Sequence, residues 1–148
     1  MDISSAVADS DLAALSFRYA AALDQRDLSA LLGVFHPNAT LRAWPPGRGP
    51  MTLTGHDELV KLIQAVTHWP RTFHLVGQGL FHVTGERAVG EVYCVAHHFN
   101  SFAPGRLDDD VMYIRYRDAY VQYGRGGWLI MERVVTVDAL GHITPPVG

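Results

Sequence analysis

The feature that most constrains this chain is a change of hydrophobic period at Trp69-Pro70. Before it, apolar residues recur every three or four positions, the spacing of one helix face. After it they alternate with polar residues, the spacing of a half-buried strand. Pro70 enforces the break, because it disfavours helix at the residue before it and has no N–H to donate. Helices gathered first and strands afterwards imply an α+β domain, with the helices packed on one face of a curved, mostly antiparallel sheet. With 148 residues, 48% hydrophobic and 18% charged, the chain fits one globular domain over 1–148 with a sizeable core.

Taken in order, Asp9 to Asp24 reads as a helix. Asp9 or Ser10 serves as its cap, Leu12, Leu15, Tyr19 and Leu23 form one stripe, and Ala13, Phe17, Ala20 and Asp24 form a second. Asp27 caps a second short helix from Leu28, which His36-Pro37-Asn38 ends. A strand from Ala39 to Trp44 then runs into Pro45-Pro46-Gly47-Arg48-Gly49-Pro50, a loop suited to a pocket rim. Thr54-Gly55-His56-Asp57 leads into a third helix, with Leu59, Leu62, Ile63 and Val66 on one face. Four strands follow, at about Thr72 to Val83, Arg87 to Ser101, Val111 to Tyr123 and Trp128 to Asp138. Thr84-Gly85-Glu86 and Gly124-Arg125-Gly126-Gly127 are short hairpin turns, whereas Ala103 to Arg106 with Asp108-Asp109-Asp110 forms a longer polar loop.

Composition excludes several classes. Fifteen acidic against twelve basic residues leave a formal charge of -3, with no basic stripe for nucleic acid. The start, Met1-Asp2-Ile3-Ser4-Ser5, lacks the pattern of a signal peptide, and no apolar run approaches the roughly 20 residues of a membrane span. A cytoplasmic protein is expected. A single cysteine, Cys94, excludes an intrachain disulfide and a thiolate metal cluster. The eight histidines are scattered, without His-x-His, His-x-x-x-His or an HExxH helix, so no metal is expected.

Two residues stand out. Asp24 ends an apolar stripe at a helix C-terminus, where a carboxylate opposes the dipole and needs a partner elsewhere. His74 lies in the extended run Thr72-Phe73-His74-Leu75-Val76-Gly77. A carboxylate that accepts one ring N–H fixes the imidazole tautomer and leaves the other nitrogen to take a proton. A histidine satisfied structurally on a strand would read the same way. His97 and His98 are adjacent and so face opposite sides of the sheet; alternation places His98 with Val92, Cys94 and Ala96. Gly77 and Gly79 suit a bulge or sharp bend. Trp44, Trp69, Phe73, Phe81, Phe99 and Phe102 supply apolar surface, some of it for a cavity that takes a hydrophobic ligand.

The order of these elements, with Arg18 to Asp27, Thr72 to Gly77, Arg115-Tyr116-Arg117-Asp118, and Gly127-Trp128 followed by Arg133, resembles the nuclear transport factor 2-like superfamily. It is most similar to the SnoaL-like branch that contains scytalone dehydratase, bile acid 7α-dehydratase and hexachlorocyclohexane dehydrochlorinase. The resemblance implies a cone-shaped domain enclosing one pocket, commonly a homodimer or homotrimer. It implies a cofactor-independent lyase of the dehydratase or isomerase kind acting on a hydrophobic cyclic or polyketide-like small molecule. Residue by residue, it implies His74 as general base, Asp24 as its orienting carboxylate, Tyr19 and His98 as contacts for substrate oxygen, and Arg133 as support for a departing anion. Asp118 is a structural acceptor or pocket residue, and Trp44 a pocket aromatic. Two alternatives stay open: a polyketide cyclase or ketosteroid-isomerase-like proton shuttle in which a carboxylate such as Asp24 is itself the base, and a non-catalytic ligand-binding or assembly module.

Overall fold

The structure is a computed structural model, and it describes residues 3–125 and 127–146. Met1, Asp2, Gly126, Val147 and Gly148 lie outside the described residues, and with them the middle of the expected Gly124 to Gly127 turn. Among the described residues four helices and six strands follow one another as α1 (Ile3–Gln25), α2 (Leu28–Gly33), β1 (Phe35–Ala43), β2 (Met51–Thr54), α3 (Gly55–Leu59), α4 (Lys61–Val66), β3 (Arg71–Thr84), β4 (Arg87–Ala103), β5 (Arg106–Tyr123) and β6 (Gly127–Ile143). The strands form one sheet in the order β2-β1-β6-β5-β4-β3. Every pairing is antiparallel except β1 with β6, which is parallel. This is the α+β architecture that the change of period implies.

Helix α1 begins at Ile3, six residues before the expected Asp9, so neither Asp9 nor Ser10 caps it. The reason is local: from Ile3 to Gln25 there is no glycine or proline to stop a helix. Its stripe Leu12, Leu15, Tyr19 and Leu23 is buried against Leu31, Phe35, Leu41, Val92, Ala96, Tyr116, Tyr120 and Ile130. The second stripe is only partly covered, since Phe17 is 53% exposed. Asp27 does cap α2, accepting the Ala30 N–H at 3.0 Å.

The expected third helix is two short ones, α3 and α4, separated at Val60. Strand β1 starts at Phe35 and takes in His36-Pro37-Asn38, with an irregular register between Phe35 and Thr40 that accommodates the proline. The four-residue β2, absent from the sequence reading, pairs with β1 at the sheet edge. Asp108, Asp109 and Asp110 are strand residues of β5 rather than a loop, paired opposite Ser101, Phe99 and His98. Their charges are tolerated because each meets a local donor, described below. Register shifts at Val76/Gly79, Phe99/Ser101, Tyr113/Ile114 and Ala119/Tyr120 bend the long strands around α1. At the first of these the Phe81 ring covers Gly79 and Gly90 so closely that a Cβ on either would lie 2.7 or 2.5 Å from it.

Candidate active site

Asp24 stands on the last turn of α1, and β3, at the opposite edge of the sheet from β2, runs past it. The carboxylate accepts three hydrogen bonds: the Thr72 hydroxyl at 3.0 Å, the His74 backbone N–H at 2.9 Å and His74 Nδ1 at 2.7 Å. The His74 side chain is 5% exposed and that of Asp24 24%. Burial raises the Asp24 pKa, but the hydrogen bonds and charge of His74, with that of Thr72, outweigh it and hold the carboxyl below its ordinary value. An ionised carboxylate only accepts, so Nδ1 of His74 carries a proton, and whenever the ring is neutral its lone pair is on Nε2.

His98 lies beyond His74, with ring centroids 5.9 Å apart. Its Nδ1 sits 3.0 Å from the backbone carbonyl of Asp110, which can only accept, so in the neutral ring Nε2 again holds the lone pair. Burial pushes the His98 pKa down, aided by the nearby His74, which keeps this ring neutral. His97 points to the other face as alternation requires. There its Nδ1 meets the buried Asp109 carboxylate at 2.6 Å, while the same carboxylate accepts the His98 N–H at 2.9 Å. Trp69 packs on His98 at 4.5 Å between centroids. Asp110 is held below the usual carboxylate range by Asn100 and then His142, with a smaller contribution from Trp69.

Arg133 is fully buried and its guanidinium lies between the rings of Tyr19 and Tyr116, at 4.4 and 4.0 Å. It donates to both oxygens of Asp118, at 2.8 and 2.7 Å, and to Ser16 Oγ at 2.6 Å; Nη1 makes no protein hydrogen bond. Asp118 also accepts the Tyr120 hydroxyl at 2.7 Å. Burial pushes Tyr19 up to about 12 and Cys94 up to about 11, so both keep their protons at neutral pH. The structure therefore gathers Tyr19, Arg133 and Asp118 into one cluster and Asp24, His74 and His98 into another.

A cavity of about 830 Å³ adjoins the second cluster without including it. Pro45, Pro46 and Arg48 form part of its rim, Met51, Met112 and Leu140 its apolar wall, and Trp69 the wall toward His98. Asp24 and His74 instead line a shallow groove of about 380 Å³ between α1 and β3. Trp44, expected as a pocket aromatic, lines none of the cavities described and is 54% exposed just beyond β1. Arg133 likewise lines none of them, its charge being satisfied by Asp118. Sequence reasoning missed Thr72, Arg26, Asp109 and Asp110, all contacts made by tertiary proximity. The only signal was that Thr72 lies two residues before His74, on the same face of the strand, and it is weak. Among the described residues no group of three or more His, Cys, Asp or Glu is placed to hold a metal ion, and no helix is long and apolar enough to cross a membrane.

A helix-wrapped, unclosed sheet with a partly buried His–Asp pair beneath it defines a small α+β domain of the nuclear transport factor 2-like fold. Within that class the chain belongs to the SnoaL-like domain family, whose sequence profile matches residues 5–134. Among solved structures, a candidate scytalone dehydratase from Novosphingobium aromaticivorans is 19% identical, with TM-score 0.78 over 100% of this chain and 98% of that one. Hexachlorocyclohexane dehydrochlorinase LinA-type3 from Novosphingobium barchaimii is 14% identical, with TM-score 0.78 over 100% and 99%. Kfla4162 protein from Kribbella flavida is 20% identical, with TM-score 0.77 over 92% and 95%. A comparison with curated proteins finds no significant match.

Proposed function

We propose that this protein is a cofactor-independent lyase, of the dehydratase or isomerase kind, acting on a hydrophobic cyclic or polyketide-like small molecule. The observation that carries the reading is the 2.7 Å contact between Asp24 Oδ1 and His74 Nδ1. It aims a neutral imidazole by its Nδ1–H and leaves Nε2 as a base. In the reaction, His74 Nε2 takes a proton from a carbon activated by a neighbouring carbonyl or leaving group. The C–H electron pair forms the new double bond, and the leaving group departs with its own pair. A departing hydroxide takes the proton back from the His74 imidazolium, so water is released and the ring returns to neutral.

His98 has a narrower part than donating to a carbonyl. With Nδ1–H committed to the Asp110 carbonyl, its neutral Nε2 accepts, which suits a substrate hydroxyl that must be held by its O–H. Tyr19 keeps its proton and is a donor, while Arg133, between the rings of Tyr19 and Tyr116, holds both in place. In this reading the apolar cavity takes the body of the substrate, with Trp69 between it and His98. Asp24 as the base itself is the weaker alternative, because three donors already occupy its carboxylate.

The test is turnover of scytalone, of hexachlorocyclohexane and of a panel of cyclic β-hydroxyketones by the parent, His74→Ala and Asp24→Asn. His74→Ala is expected to lower kcat by about 10²–10⁴-fold, with a smaller loss in Asp24→Asn. A His74→Ala enzyme with parental kcat overturns the mechanism; a larger loss in Asp24→Asn moves the base to Asp24.

A further inference from the structure

Among the described residues a single non-glycine residue has a left-handed backbone, Arg26, with φ 57°. It directly follows α1. Its N–H donates to the Leu23 carbonyl at 3.2 Å and the Asp27 N–H to that of Ala22 at 2.9 Å, the two bonds of a Schellman motif. Glycine is the usual residue at that position, because a Cβ is strained there. An arginine in this conformation invites an explanation from its side chain.

The guanidinium reaches four acceptors. Nη1 donates to the Leu23 carbonyl at 2.7 Å and to Thr72 Oγ1 at 2.6 Å, and Nη2 to the carbonyls of Val66 at 2.9 Å and Trp69 at 3.1 Å. Three of these tie the ends of α1 and α4 to the Trp69 segment. The fourth differs in kind. A guanidinium only donates, so the Thr72 oxygen must accept from Arg26 and the single Thr72 proton must go elsewhere. It goes to Asp24 Oδ1, 3.0 Å away, the same oxygen that accepts from His74 Nδ1. From Arg26 through Thr72 into Asp24, every bond points one way, and the His74 proton enters the same oxygen from the other side.

We propose that Arg26 is a positioning residue of the site, acting through the Thr72 hydroxyl to share the charge on Asp24 and to hold the Asp24–His74 bond in one direction. The same guanidinium pins the Trp69 backbone, so one side chain sets both the His–Asp pair and the wall between it and the cavity. This inference rests on the reading of Asp24 and His74 as the working pair, yet the bonds it concerns exist without substrate.

The experiment is an NMR titration of the Asp24 side-chain carbon, with ring ¹⁵N spectra reporting the His74 tautomer. The variants are Arg26→Gly, Thr72→Val, Thr72→Ser and the double variant R26G/T72V. Glycine suits the left-handed backbone, so Arg26→Gly keeps the helix cap and removes only the side chain. In Arg26→Gly and Thr72→Val the Asp24 titration is expected to move up toward the ordinary carboxylate range, and the His74 tautomer to become a mixture. Thr72→Ser keeps parental behaviour. The double variant shifts no further than Thr72→Val, because Arg26 acts through that hydroxyl. Parental Asp24 titration and a single His74 tautomer in Arg26→Gly overturn the proposal and reduce Arg26 to a tie between helix ends. If Arg26→Gly does not fold, Thr72→Val against Thr72→Ser decides: identical titrations in the two overturn it. Failure of the lyase reading is seen separately, as a His74→Ala protein with unchanged turnover, and leaves these NMR shifts intact.

Discussion

A carboxylate on the last turn of a helix sits in the field of unpaired carbonyls, and Asp24 is stable there because three donors converge on it. Its depressed pKa has a sign that can be checked. The unfolded chain binds the Asp24 proton more readily than the folded one, so this contribution to stability is present above the ordinary carboxylate value. It is lost as pH falls through the folded value. The urea midpoint of Asp24→Asn is therefore expected to lie below the parent's at pH 6 and to converge on it toward pH 3. Parallel midpoints across that range would show that Asp24 contributes nothing by ionisation. Arg133 presents the opposite problem, a fully buried cation that Asp118 neutralises. Asp118→Asn leaves that cation without a counter-charge and is expected to cost about 3–5 kcal/mol in chemical denaturation, whereas replacing both partners by apolar residues costs less.

At the scale of elements, what could be read from sequence is what periodicity encodes. The stripe Leu12, Leu15, Tyr19 and Leu23 locates the buried face of α1, and alternation along β4 correctly separates His97 from His98. Gly79 marks the bend of β3 because only a residue without a side chain leaves room there for the Phe81 ring, whereas a Cβ on Gly77 would make ordinary contact with Tyr93 at 3.7 Å. Features that depend on partners distant in sequence were not legible. The strand β2 is four residues long and exists because β1 offers it an edge. The Asp108 to Asp110 run looks like a loop until Asn100, His142 and His97 are seen to receive it. Trp69 is the element-level case with most bearing on function, standing between the large cavity and His98. Trp69→Ala is expected to admit bulkier substrates, lowering their KM while leaving kcat for small ones within a few-fold. Steady-state kinetics on a size-graded panel decides, and an unchanged size preference would remove Trp69 from the substrate path.

For the molecule as a whole, the outer face of the sheet carries Phe73, Leu75, Tyr93 and Tyr113, each about half exposed. Leu75, Val95 and Tyr113 are side by side across β3, β4 and β5. This supports the proposal of a homodimer or homotrimer, and a Leu75→Glu, Tyr113→Glu protein is expected to run as a monomer in light scattering. An unchanged mass would place any self-association elsewhere. The parallel pairing of β1 with β6 carries a consequence for how the chain comes to be folded. Sequence neighbours form hairpins one after another, but β1 waits beside a gap until the last strand has been made, and Ser16 waits with it for Arg133. Closure of the sheet between β1 and β6 is thus a non-local and slow step.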